Sequence, residues 1–140
     1  MSLEPADRDV LARLADVLVP AGGGLPSASE AGAAGEGLDR VLAARADLEA
    51  ELVRVLRAAR GREPAQAVAE LRRDDAAGFA VLAEVVPGAY FMNAQVRAAI
   101  GYRGQEPRPI DPRPDWLDDG LLQSVIDRGP IYRPTPRRAE

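Results

Sequence analysis

The apolar residues of this chain recur at three- and four-residue intervals, between prolines and glycines that interrupt them. In the first such segment, five residues lie on one face of a helix: Val10, Leu11, Leu14, Val17 and Leu18. Pro5 fits the first turn of this helix, and Pro20 is expected to end it. This spacing predicts a helix with one apolar face, because a half-buried strand would require strict alternation of apolar and polar residues.

Five further helices are predicted from the same spacing and from the residues that begin or end helices. They are expected to begin near Leu38, Asp47, Pro64, Asp74 or Asp75, and Asn93. Gly61 and Gly101 are expected to stop two of them. Pro87 and Gly88 are expected to break or kink the longest helix before it reaches Tyr90.

A loop rich in glycine and proline, residues 20–27, separates the first helix from the rest. Ser27 and Glu30 fit a capping box, so the small-residue segment that follows is predicted to be helical through Ala34. Three consecutive glycines, Gly22 to Gly24, raise the alternative of a phosphate-binding loop. A flexible turn is favoured, because the loop follows a helix and lacks both the lysine and the glycine spacing of phosphate-binding motifs.

The character of the sequence changes after Gly104. Four prolines between positions 107 and 114 exclude regular helix there. Beyond them, one short amphipathic helix is expected, with Leu121 and Leu122 on its apolar face and Asp118 or Asp119 as its N-cap. No segment alternates as a strand would. We therefore predict an all-α protein, with a small bundle of about five to seven helices in residues 1–104 and an extended Pro-rich C-terminal arm in residues 105–140.

The side chains that most enzymes use for covalent or proton-transfer chemistry are missing. The sequence has no Cys and no His, and all 18 basic residues are Arg. This excludes thiolate nucleophiles, histidine general bases, Schiff-base lysines and the common Cys or His metal sites. A carboxylate-only enzyme remains an alternative, and it would require a pocket with two convergent carboxylates. We therefore expect no catalytic residues, no cofactor-binding residues and no metal site.

The charge pattern is that of an ordinary soluble protein. The net charge is −4, and the arginines are interspersed with 22 acidic residues, which does not indicate a nucleic-acid-binding protein. No apolar run approaches the roughly 20 residues that cross a bilayer, so no membrane insertion is expected. The N-terminal residues show no export signal, which makes the cytoplasm the expected location.

The few aromatic residues lie toward the end of the predicted bundle and in the arm. Tyr and Trp are frequent among the residues that dominate protein interfaces. A partner-binding set is therefore predicted: Tyr90, Phe91, Tyr102, Trp116, Leu121, Leu122, Ile131 and Tyr132. The alternative is that the aromatic members pack the arm onto the bundle, and one arm can do both.

Two parts of the chain resemble the gluconate 2-dehydrogenase subunit 3 family. Residues 11–20 and 25–30 resemble its opening, an apolar helix that ends in a DxxxP element, here Asp16 to Pro20, followed by a loop and a small-residue segment. Residues 88–93 and 96–104 resemble the family's region of aromatic, Asn and Gly residues, which ends in a GYxG turn at Gly101 to Gly104. The resemblance covers about residues 8–104.

The resemblance implies a small helical accessory subunit of a flavin-dependent dehydrogenase of the glucose–methanol–choline (GMC) type. In that family the large subunit holds FAD and oxidises a sugar or alcohol, and the small subunit supports its folding, maturation or export. The expectation is thus a non-catalytic subunit that binds no cofactor itself, with FAD in its oxidoreductase partner. A stand-alone helical scaffold, homo-oligomeric and unrelated to flavoenzymes, is the alternative.

Overall fold

A computed structural model of the chain describes residues 3–105 and 119–131. In these ranges it contains seven α-helices and one 3-10 turn, which confirms the all-α prediction. The helices are α1 (Pro5–Leu18), α2 (Glu36–Ala44), α3 (Glu49–Ala59), α4 (Pro64–Asp74), α5 (Ala76–Tyr90), α6 (Ala94–Ala99) and α7 (Gln123–Arg128). The chain divides into two compact units, Met1–Gly104 with α1 to α6 and Gln105–Glu140 with α7. The prolines between 107 and 114 lie outside the described residues.

Helix α5 is the centre of the first unit, because it packs against α1, α2, α3 and α4. The predicted apolar stripes form the core around it. The largest fully buried apolar side chains of this core are Leu11, Leu14, Leu38, Leu52, Leu56, Leu82, Val55, Val85, Val86 and Val96. Burial of one such side chain contributes about 1.5–3 kcal/mol, so this cluster is the main source of the unit's stability.

Several predicted helix ends are confirmed. The Asp75 carboxylate caps α5 by accepting a hydrogen bond from the backbone N–H of Gly78 at 2.9 Å. The Asn93 side-chain oxygen caps α6 by accepting from Gln95 N at 2.8 Å. Pro64 is the first residue of α4. Gly61 follows α3 with a φ of 73°, in the left-handed region that glycine adopts without strain.

Two predicted helix starts differ from the structure. Ser27 and Glu30 form both hydrogen bonds of a capping box, yet residues 28–35 fold as successive turns. Gly32 has a φ of 72°, which no α-helix contains. Asp47 does not cap α3, because the helix is entered through the 3-10 turn Ala46–Leu48, and the Asp47 carboxylate pairs with Arg45 at 2.7 Å.

The sequence predicts a break or a kink at Pro87 and Gly88; the break is wrong, and the kink stays a prediction. Helix α5 continues through both residues to Tyr90. Proline costs one backbone hydrogen bond in a helix interior, whereas Val85, Val86 and Ala89 are buried around this point and keep the segment helical. The core packing thus outweighs the local penalty.

The short C-terminal helix is present but begins later than predicted. Helix α7 starts at Gln123, and no side chain caps it. Asp119 therefore does not act as its N-cap, and Asp118 lies outside the described residues. Gly129 ends α7 with a φ of 67°.

Candidate functional site

The structure places the predicted partner-binding residues in three different environments. Tyr90 belongs to the core of the first unit, whereas Phe91 and Tyr102 are about half exposed near the end of that unit. Leu121, Leu122 and Ile131 lie in the second unit, where Leu121 and Ile131 are exposed and Leu122 is half-buried. Trp116 and Tyr132 lie outside the described residues.

Tyr90 does not fit the role of a partner anchor, because only 3% of it is exposed. Its hydroxyl donates a hydrogen bond to the carbonyl oxygen of Pro26 at 2.9 Å, and its ring packs edge-on against Phe91 with centroids 5.3 Å apart. A buried tyrosine hydroxyl needs such a partner. Tyr90 therefore fixes the loop before α2 to the end of α5.

Four apolar side chains of the second unit, three of them exposed and Leu122 half-buried, recur at helical spacing. Leu121 and Leu122 directly precede α7, whereas Val125 and Ile126 lie on it, and the four recur at the spacing of one apolar stripe. Leu121 is 71% exposed, and no residue of α7 is buried. We call these four residues the α7 stripe. The partner-binding set predicted from the sequence does not include Val125 and Ile126.

The long connection between α1 and α2, residues 19–35, is held at several points by hydrogen bonds. Asp16 on α1 accepts from the backbone N–H of Ser29 at 2.7 Å and from its hydroxyl at 2.6 Å. Asn93 Nδ2 donates to the carbonyl oxygen of Ala31 at 3.0 Å, and Arg8 Nη1 donates to that of Ala34 at 2.9 Å. The connection is thus fixed to α1 at one side and to the α5–α6 corner at the other.

The electrostatic environment of Asp16 strengthens its hold on the connection between α1 and α2. Partial burial alone would raise the pKa of its carboxyl, but the hydrogen bonds from Ser29 outweigh that effect and lower the pKa. The carboxylate is therefore ionised near neutral pH, which strengthens its bonds to Ser29. Asp16, Ser29 and Asn93 act here as structural residues.

The connection, the start of α2 and the α5–α6 corner line an open cavity of about 550 Å³. Its polar lining includes Arg40, Arg97 and Glu36, and its apolar lining includes Ala89 and Met92. Arg40 is committed to an ion pair with Glu36 at 2.5 Å. The Nε atom of Arg97 is buried, and no described residue accepts a hydrogen bond from it. Sequence reasoning did not single out Arg97, because its lack of a partner depends on the folded arrangement.

The remaining candidate motifs have structural roles where they are described. Gly22 and Leu25 pair as an isolated antiparallel bridge, and Gly23 and Gly24 between them have φ values of 59° and 81°, typical of a tight turn. Asp74 ends α4 and pairs with Arg73 at 2.6 Å. Among the described residues, no cluster of three acidic side chains is suited to hold a metal ion.

Comparisons with known proteins leave the family open. No family model, no curated protein and no solved structure matches the chain. None of the helices in residues 3–105 and 119–131 has the length and apolar character that spanning a membrane requires.

Proposed function

We propose that this chain is a non-catalytic small subunit that binds a larger FAD-dependent oxidoreductase of the GMC type and stabilises or matures it. The observation that carries the proposal is the exposure of the α7 stripe. In this proposal the partner holds the FAD and performs the oxidation, and the present chain contributes binding surface alone.

The α7 stripe is suited to a protein interface. A helix of six residues is too short to be stable in water without packing. Transfer of one large aliphatic side chain from water into an interface contributes about 1.5–3 kcal/mol. A groove on the partner that accepts Leu121, Val125 and Ile126 would therefore both order the helix and bind it, as amphipathic helices do in other complexes.

The class of partner is proposed from the sequence resemblance. Hydrogen bonds from Ser29 to Asp16 and from Tyr90 to Pro26 join the chain segments that carry this resemblance. The segments that carry the resemblance therefore lie together in the first unit, which supports the proposal. The cavity near α6 contains one carboxylate, Glu36, which is paired with Arg40. That arrangement favours a binding subunit over a carboxylate-only enzyme, which needs two converging carboxylates.

Co-expression with the FAD-dependent GMC-type oxidoreductases of the same genome tests the proposal. We expect the wild-type chain to co-elute with one of them in size-exclusion chromatography and to raise its flavin content. The double variant Leu121→Ser, Ile126→Ser removes the apolar contact and should abolish co-elution. The matched control Gln123→Ala, Ser124→Ala changes the same helix outside the α7 stripe and should leave the complex intact.

Two results would contradict the proposal. The first is separate elution of the wild-type chain from every such oxidoreductase, with unchanged flavin loading. The second is a stable homo-oligomer that the Leu121→Ser, Ile126→Ser variant disrupts, since this would assign the α7 stripe to self-association. Circular dichroism of each variant establishes that the helical bundle has remained folded.

A further inference from the structure

The cavity beside α6 has the dimensions of a ligand site. Its volume of about 550 Å³ lies within the range of small-molecule pockets in proteins. It is formed wholly by the first unit, between the connection that precedes α2, the first turn of α2 and the corner where α5 meets α6. It shares no residue with the α7 stripe, so ligand binding in the cavity does not depend on the proposed oxidoreductase partner.

One positive charge in the cavity lacks a counter-charge. Arg40 is neutralised by Glu36, whereas no ion pair joins Arg97 to any described residue. The buried Nε–H of Arg97 also has no acceptor in the described part of the chain. Most buried polar groups have hydrogen-bond partners, and an exception calls for an explanation. An anionic ligand in the cavity would supply the counter-charge that the Arg97 guanidinium lacks.

The walls of the cavity are fixed before any ligand binds. Asn93 uses its Nδ2 to hold the carbonyl oxygen of Ala31, and Arg8 holds that of Ala34. Tyr90 secures the same connection farther along, through Pro26. A pre-formed site reduces the entropy that ligand binding must overcome.

We infer that this cavity binds a small organic monocarboxylate. A guanidinium group presents paired N–H donors that match a carboxylate, and Arg97 lines the cavity. Glu36 offsets Arg40, so Arg97 is the single uncompensated charge among the described lining residues, and a ligand with one negative charge balances it. Ala31, Ala89 and Met92 line the rest of the space and accommodate an apolar body.

The first turn of α2 also favours a negatively charged ligand in the cavity. No side chain caps α2, and its first residues, Glu36 and Gly37, line the cavity. Their backbone N–H groups have no partner within the helix, so they favour a nearby negative charge.

Isothermal titration calorimetry of the full-length chain tests the inference with butyrate and benzoate as probes. Their neutral amides, butyramide and benzamide, report binding that does not depend on charge, and inorganic phosphate reports preference for a higher charge. We expect saturable binding of at least one carboxylate, with its amide and phosphate binding about tenfold more weakly or not at all.

Three variants locate the site. Arg97→Gln should weaken carboxylate binding about tenfold or more, and Ala94→Trp should block it by filling the mouth of the cavity. Arg72→Gln removes an exposed arginine of α4 that does not line the cavity, and it should bind as the wild type does. The inference would be overturned if the wild type showed no saturable binding, equal affinity for a carboxylate and its amide, or tighter binding of phosphate. Undiminished binding by both Arg97→Gln and Ala94→Trp would also overturn it.

Discussion

Gly37 allows α2 to pack closely against α5. A Cβ atom added to Gly37 would lie 2.6 Å from the carbonyl oxygen of Ala89 and 3.2 Å from its carbonyl carbon. Ordinary contacts of a Cβ begin near 3.4 Å, so the shorter distance is about 0.8 Å too close. The opposing atoms belong to the backbone of a buried helix and cannot rotate away. Gly37→Ala must therefore move one helix relative to the other.

The change that Gly37→Ala makes to the free energy of unfolding depends on two opposing effects. Replacement of a helical glycine by alanine stabilises an isolated helix by at most about 1 kcal/mol. Overpacking of a close contact costs about 1–3 kcal/mol, and the neighbouring Leu38 and Val41 are buried, so separation of the helices also loosens their packing. We expect Gly37→Ala to lower the free energy of unfolding by about 1–2 kcal/mol, which corresponds to a fall in melting temperature of about 4–10 °C.

Urea and thermal unfolding, followed by far-ultraviolet circular dichroism, measure this effect. Gly22→Ala is the matched control, because a Cβ at Gly22 meets no atom within 4 Å. The control should stay within about 0.5 kcal/mol of the wild type. Because helix propensity alone predicts a more stable Gly37→Ala protein, a melting temperature equal to or above that of the wild type would refute the steric explanation.

Two further predictions concern a buried charge and a helix-interior proline. Burial raises the pKa of Asp7, but the hydrogen bond from Arg60 at 2.6 Å and the bond from the Glu4 backbone lower it below its ordinary value. The ionised carboxylate therefore stabilises the fold above about pH 4, and this contribution is lost as the pH falls further. Asp7→Asn should lower the free energy of unfolding at pH 7 by about 1–3 kcal/mol. In urea titrations it should also weaken the dependence of that free energy on pH between 7 and 3, and an unchanged pH dependence would contradict this. Pro87→Ala restores an N–H within α5 and should raise the free energy of unfolding by about 1–3 kcal/mol. An equal or lower free energy of unfolding in the same titrations would show that the proline ring is needed for packing.

The candidate site illustrates where sequence reasoning stops. Tyr90 and Phe91 are adjacent and equally suited to an interface by residue type, yet Tyr90 is buried and Phe91 is about half exposed. The difference arises because α5 continues through Pro87 and turns Tyr90 toward Pro26. Arg97 resembles any other arginine in the sequence. Its significance depends on its lack of an acceptor, which only the packing of α6 against the rest of the unit decides.

The spacing of apolar residues by itself determined the all-α class and most helices, because a helical stripe needs only local residues to define it. Residue type predicted the Asn93 cap and limited the α5 cap to Asp74 or Asp75, because hydrogen bonds at a cap span three residues or fewer. Only the tertiary structure decided that α5 passes through Pro87 and that residues 28–35 form turns. These features depend on contacts between distant segments, where the burial of a neighbouring helix outweighs the local preference of a proline or a capping box.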